Sequence, residues 1–133
     1  MRETSPVVAV LDDEPQMRKA LRRLLTANGF RVEVYAQADE LFAALLLHPA
    51  DCLVLDLHMP EVNGFDVLAA FQAQHIATPV VVLTGHDEPG TAERVCALGG
   101  AAYLKKPADE AALLDAIKTA ISLSPHPHNP LLT

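Results

Sequence analysis

Val7-Val8-Ala9-Val10-Leu11 is an unbroken apolar run that stops at two aspartates, Asp12 and Asp13, and the same punctuation returns along the chain. A short continuous run rich in β-branched residues is the pattern of a strand buried on both faces, since a strand with one wet face would alternate. Cys52-Leu53-Val54-Leu55 runs into Asp56, Pro79-Val80-Val81-Val82-Leu83 into Thr84-Gly85, and Ala102-Tyr103-Leu104 into Lys105-Lys106-Pro107. Residues 31–35 alternate well enough for one more strand, second in chain order. Between the strands the period changes to that of a helix. Met17, Ala20, Leu21, Leu24 and Leu25 follow Pro15 at helical spacing, and Asn28-Gly29 supplies the stop. Residues 39–47 repeat Leu41, Phe42, Leu45 and Leu46 before Pro49, and a third helix turns Phe65, Leu68 and Phe71 inward. Residues 91–98 form a shorter helix closed by Gly99-Gly100, and residues 109–122 carry Leu113, Ile117 and Ile121 on one face. Five strands alternating with five helices predict an α/β fold, a doubly wound parallel sheet covered on both faces. One domain over residues 6–122 is expected, with residues 123–133, which contain Pro125, Pro127 and Pro130, as a flexible C-terminal tail.

Composition excludes several classes. Half of the 133 residues are apolar, enough for a core without disulfide or metal staples. Cys52 and Cys96 each lie in an apolar segment without CxxC spacing, so both read as buried thiols and the compartment as cytoplasmic. No apolar run is long enough to cross a bilayer, and the N-terminus lacks the stretch of a signal peptide. The net charge of −7 argues against direct binding of nucleic acid, whose phosphates ask for the opposite balance.

In a sheet of this kind the ligand sits outside the carboxyl ends of the strands. Those ends collect Asp12 and Asp13, Asp56, Thr84 and Lys106. Three carboxylates together resist ionisation unless a cation compensates them, and an all-oxygen set suits Mg²⁺. A metal, a lysine, a hydroxyl and a spare carboxylate suit phosphoryl transfer, with the carboxylate as the acceptor of an acyl-phosphate. Asp56 is the natural acceptor because it lies between the acidic pair and the Thr84 and Lys106 side.

These segments, Val10-Leu11-Asp12-Asp13-Glu14-Pro15, the run from Leu53 through Asp56-Leu57-His58-Met59-Pro60 to Gly64, Leu83-Thr84-Gly85, and Tyr103-Leu104-Lys105-Lys106-Pro107, resemble the receiver domain of bacterial two-component response regulators, of the single-domain, chemotaxis-regulator-like type. The resemblance implies a flavodoxin-like (βα)5 fold with strand order 2-1-3-4-5. It implies Mg²⁺-dependent phosphorylation of Asp56 by a histidine kinase or histidine phosphotransfer protein. Asp13 and Asp56 would bind the metal through carboxylates, His58 through its backbone carbonyl, and Asp12 largely through water. Thr84 and Lys106 would contact the phosphoryl oxygens, Gly85 would leave room beside them, and the Lys106-Pro107 bond would be cis. Lys105 would be a surface residue. On phosphorylation Thr84 would be drawn toward Asp56 and Tyr103 would move inward, changing the partner preference of the surface made by the fourth helix, fifth strand and fifth helix. A homodimer would form through that same face, and the downstream partner is a protein not named by the sequence.

Several positions depart from the commonest pattern. His58 and His86 each stand two residues after a site residue, where side chains can tune the lifetime of an acyl-phosphate; solvent-facing loop histidines are the simpler reading. A transition-metal site from the same histidines fits less well than Mg²⁺, and His126 and His128 read as part of the tail. Ala108 stands where many receivers have an aromatic. Arg18, Lys19, Arg22 and Arg23 make a basic face on the first helix, solvated or facing a donor protein. No output module follows Ser122, so a standalone receiver that is not itself an enzyme is expected, one that assists its own phosphorylation and dephosphorylation. The alternatives are a receiver fragment of a longer transcriptional regulator or hybrid kinase, a degenerate scaffold, or an aspartate-nucleophile phosphohydrolase. The last would want an acid where His58 stands, and a cap for which the chain has little room.

Overall fold

A computed structural model describes residues 5–60 and 63–123. The chain alternates without exception: β1 (Val7–Leu11), α1 (Pro15–Ala27), β2 (Arg31–Tyr35), α2 (Ala38–Leu47), β3 (Cys52–Asp56), α3 (Gly64–Ala73), β4 (Val80–Thr84), α4 (Thr91–Ala97), β5 (Ala102–Lys105) and α5 (Glu110–Leu123). All strand pairs are parallel, in the order β2-β1-β3-β4-β5. This is the doubly wound, flavodoxin-like arrangement expected from the sequence. The order reverses between β1 and β3, the place where sheets of this kind form a crevice at the carboxyl ends of their strands.

The apolar runs are continuous because each central strand feeds two cores. Ala9, Leu11, Leu53, Leu55 and Val82 pack on one face with Leu41, Leu68, Phe71 and Val95 from α2, α3 and α4. Val8, Val10, Val54, Val81 and Leu83 pack on the other with Leu21 and Leu25 of α1 and Leu113 and Ile117 of α5. Every residue of β3 and β4 is buried. Pro15 opens α1, where a missing N–H costs nothing, and Gly29 ends it at φ +92°, a conformation that suits glycine.

Three expectations about side chains need correction. Cys52 is buried but Cys96 is exposed, because Val95 takes the inward position of the short α4 and the next residue turns about 100° away from it. Leu46 is 86% exposed: α2 buries Ala38 and Leu41 and lays Phe42 and Leu45 along the core edge, leaving its last turn beyond the sheet. Ala20 is likewise exposed, since Leu21 and Leu25 fill the buried stripe of α1. In α5 the buried residues are Leu113, Ile117 and Ala120, with Ile121 at the margin. The helix runs through Leu123; residues 124–133, with His126 and His128, lie outside the described residues.

Candidate functional site

Asp12 follows β1, and its backbone is fixed from two sides. Its amide donates to the Tyr35 carbonyl at 3.2 Å, and its carbonyl accepts from the Arg18 guanidinium at 2.8 Å. The basic face of α1 thus gives one residue to the support of the site. The Asp12 carboxylate accepts from the Glu14 amide at 2.9 Å through Oδ1 and from Lys106 Nζ at 3.1 Å through Oδ2. Asp13, beside it, is exposed.

Asp56 ends β3 and is buried, 6% exposed. Its Oδ1 accepts from the His58 amide at 3.2 Å and lies 3.7 Å from Lys106 Nζ. The turn behind it is tight. The Gly64 amide donates to the Leu57 carbonyl at 2.9 Å, and a Cβ on Gly64 would meet Leu57 Cα at 2.6 Å, so only glycine lets α3 start this close to the acceptor strand. Asn63 caps that helix, its Oδ1 accepting from the Phe65 amide at 2.7 Å.

Lys106 reaches the carboxylates from the far side of the sheet. Its amide donates to the Thr84 carbonyl at 2.7 Å, and the Lys106-Pro107 bond is cis. Lys105, by contrast, points out with a side chain 67% exposed. The Thr84 hydroxyl is fully buried and crowded: it accepts from the His86 amide at 3.0 Å, meets the His86 carbonyl at 3.3 Å and lies 3.0 Å from His58 Nδ1. The rings of His58 and His86 stand 5.1 Å apart on the solvent side. Both are exposed, yet His58 also touches the buried threonine, a contact that sequence spacing alone does not reveal.

One oxygen from each of Asp12, Asp13 and Asp56 fits within a sphere of contacts no wider than 4.8 Å. Against these three carboxylates the only ion-paired cation among the described residues is Lys106. Burial and, next, the charge of Asp12 push the Asp56 carboxyl up to about 6, with Lys106 and the His58 amide pulling the other way. A carboxyl this reluctant to ionise, within a close all-oxygen set, fits a hard divalent cation such as Mg²⁺. Asp12, Asp13, Asp56 and Lys106 therefore meet as expected, and Thr84 joins them through His58. Tyr103 does not: it is half-buried and turned outward, its hydroxyl donating to Asp87 Oδ1 at 2.8 Å. Asp87 carries no sequence signal, being one more polar residue in a polar loop.

Residues 8–118 match the family model of the response regulator receiver domain. The chain is 32% identical over 124 residues to the transcriptional regulatory protein FixJ of Azorhizobium caulinodans, covering 93% of this chain and 58% of that one. It is 30% identical over 125 residues to the response regulator protein TodT of Pseudomonas putida, covering 94% and 55%. It spans little more than half the length of these curated relatives. Among solved structures it is similar to FixJ-N, with a TM-score of 0.83, 30% identity and coverage of 91% and 97%. It is also similar to the chemotaxis protein CheY4 of Vibrio cholerae, with a TM-score of 0.80, 27% identity and coverage of 88% and 99%. With the family model matched over residues 8–118 and the fold shared with these solved structures, the chain belongs to the receiver-domain family of bacterial two-component response regulators.

Proposed function

We propose that Asp56 is the phosphoacceptor, taking its phosphoryl group from a histidine kinase or histidine phosphotransfer protein. The observation that carries this reading is the junction of three carboxylates, two of them paired with Lys106, in which Asp56 is buried and its carboxyl is pushed up to about 6. Asp13, Asp56 and the His58 carbonyl would hold Mg²⁺, with Asp12 acting largely through water. When bound, Mg²⁺ would supply positive charge that favours the ionised Asp56 and offsets the charge of the phosphoryl oxygens. An Asp56 carboxylate oxygen forms the new bond to phosphorus while the donor's bond to phosphorus breaks, its electron pair leaving with the donor. Lys106 meets the charge on the equatorial oxygens. Thr84 donates a hydrogen bond from its hydroxyl to one of them, which takes the hydroxyl away from its present partners, and Tyr103 moves inward as the output face of α4, β5 and α5 changes. That face is also where a homodimer would form. No helix among the described residues is long and apolar enough to cross a membrane.

Intact mass tests the reading. After incubation with Mg²⁺ and a small acyl-phosphate donor, the protein gains one phosphoryl group; with a chelator in place of Mg²⁺ it gains none. Free phosphate released at high turnover without an accumulating adduct would instead favour an aspartate-nucleophile phosphohydrolase.

His58 and His86 enter as lifetime-setting residues. The His58 ring meets the buried Thr84 hydroxyl, and the His86 ring stands 5.1 Å from the His58 ring. Once Thr84 turns to the phosphoryl oxygen, the His58 ring remains as a cover over that side of the site, so His58→Ala opens it to water and the acyl-phosphate decays faster than in the parent. His86→Ala, whose backbone contacts to Thr84 remain, changes the rate less. Decay of the phosphorylated mass with time gives both numbers, and equal rates in all three proteins would assign the rings to solvent alone.

A further inference from the structure

Tyr103 is one of two tyrosines in a chain without tryptophan, and its hydroxyl has an identified partner outside the site. Asp87 Oδ1 accepts from it at 2.8 Å, while Asp87 Oδ2 lies 3.7 Å from Lys105 Nζ. Asp87 directly follows His86, whose amide and carbonyl hold the Thr84 hydroxyl at 3.0 and 3.3 Å. Two consecutive residues of one loop therefore grip the two groups that have to move, one through its backbone and the other through its side chain. The loop is bounded by Gly85, beside which a Cβ would find only Lys106 Cδ at 4.0 Å, and by Gly90 at φ +89°. Such ends give the loop room to shift.

We propose that Asp87 is a positioning residue that tethers Tyr103 in its outward orientation and so holds the unphosphorylated receiver in its resting state. The proposal rests on the receiver reading above, because it needs Thr84 to leave its present partners when Asp56 is loaded. When the Thr84 hydroxyl turns to the phosphoryl oxygen, it releases the His86 backbone. The next residue then shifts and takes its carboxylate away from the tyrosine. Conversely, a tether that stabilises only the resting state lowers the apparent affinity for any ligand of the active one, by the factor that it adds to the resting population. The phenol itself is held protonated: burial, the Asp87 hydrogen bond and the charges of Asp87, Glu88 and Glu93 push Tyr103 up to about 12.

The test uses beryllofluoride with Mg²⁺ as the phosphoryl mimic and tyrosine emission as the readout. Tyr35 donates to Glu33 at 3.0 Å, so Tyr35→Phe is the background that leaves Tyr103 as the only emitter. A carboxylate bonded to a phenol quenches its emission, so Tyr103 starts dim and brightens as beryllofluoride is added. Asp87→Ala starts bright, and its half-saturation, read for every variant from the rise in thermal midpoint with beryllofluoride, falls at roughly 3- to 10-fold lower concentration, the range expected for loss of one hydrogen bond to a charged acceptor. Asp87→Asn keeps an acceptor oxygen and titrates near the parent; Lys105→Ala, which breaks the ion pair and spares the hydrogen bond, does the same. A parent that responds while Asp87→Ala titrates identically overturns the tether alone. A parent that responds no more than Asp56→Asn overturns the receiver reading and the tether with it.

Discussion

Asp56→Asn takes up no phosphoryl group from a donor that labels the parent, and it is the more stable protein when metal is absent. The first result follows from chemistry: an amide has no anionic oxygen to form the acyl-phosphate bond, and no second carboxylate can serve. Asp12 Oδ2 is engaged by Lys106 and its Oδ1 by the Glu14 amide, while Asp13 is exposed. The second follows from the cost of the Asp56 charge. An unfolded aspartate titrates near 3.9 and the folded Asp56 near 6, chiefly through burial and the Asp12 charge. Between those values the folded protein holds more protons than the unfolded one, so stability falls as pH rises from about 4 to about 6 and then levels. Two pKa units correspond to a loss of up to about 3 kcal/mol, and partial relaxation makes 1–3 kcal/mol the range to look for. Asn carries no such cost, so its advantage over the parent is small at pH 4 and fully developed by pH 7. Urea denaturation in chelator at both pH values measures it, and adding Mg²⁺ reverses the order by stabilising the parent. A parent more stable than the variant at neutral pH without metal would remove the electrostatic account of the site.

The sequence is legible where one physical requirement dominates. A strand buried on both faces has to be apolar throughout, so β1, β3 and β4 stand out as unbroken runs, and the residue after each run has to be where the sheet meets solvent. That alone places Asp12, Asp56 and Thr84 at the carboxyl edge of the sheet. It is less legible on helices, where an apolar residue is tolerated in several positions. Leu46 continues a helical repeat but lies past the sheet that would cover it, and Cys96 follows the buried Val95 on a helix too short for its period to separate inward from outward. Contacts from a loop to a strand are not legible at all. Nothing in the spacing of Asp87 and Tyr103, or of His58 and Thr84, says that each pair hydrogen-bonds, because both depend on how a loop folds back over a neighbouring strand.

Lys106→Met is expected to slow phosphoryl uptake from a small donor by about 10²- to 10³-fold, the usual consequence of losing a preorganised charge beside a reacting group. Methionine keeps most of the aliphatic volume, so the change isolates the ammonium. That ammonium lies 3.1 Å from Asp12 and 3.7 Å from Asp56 with only 17% of its side chain exposed, so no nearby solvent charge replaces it. Its loss also leaves two buried carboxylates facing each other. Breaking such a pair by removing one partner costs about 3–5 kcal/mol when the remaining charge is trapped. Here Asp56 already titrates near 6 and can take up a proton, so a smaller loss of about 1–3 kcal/mol is expected at neutral pH without metal, recovered in part by Mg²⁺. Lys105→Met is the matching control. It removes the neighbouring lysine, whose side chain is 67% exposed and pairs with Asp87 at 3.7 Å, and an exposed pair of this kind is worth no more than about 1 kcal/mol. Rates of mass gain and urea midpoints for the two variants separate the lysines. If Lys105→Met were the slower acceptor, or the two were equal, the lysine before the cis-proline would lose its place at the phosphoryl oxygens, and the compensation of Asp12 and Asp56 would have to come from the metal alone.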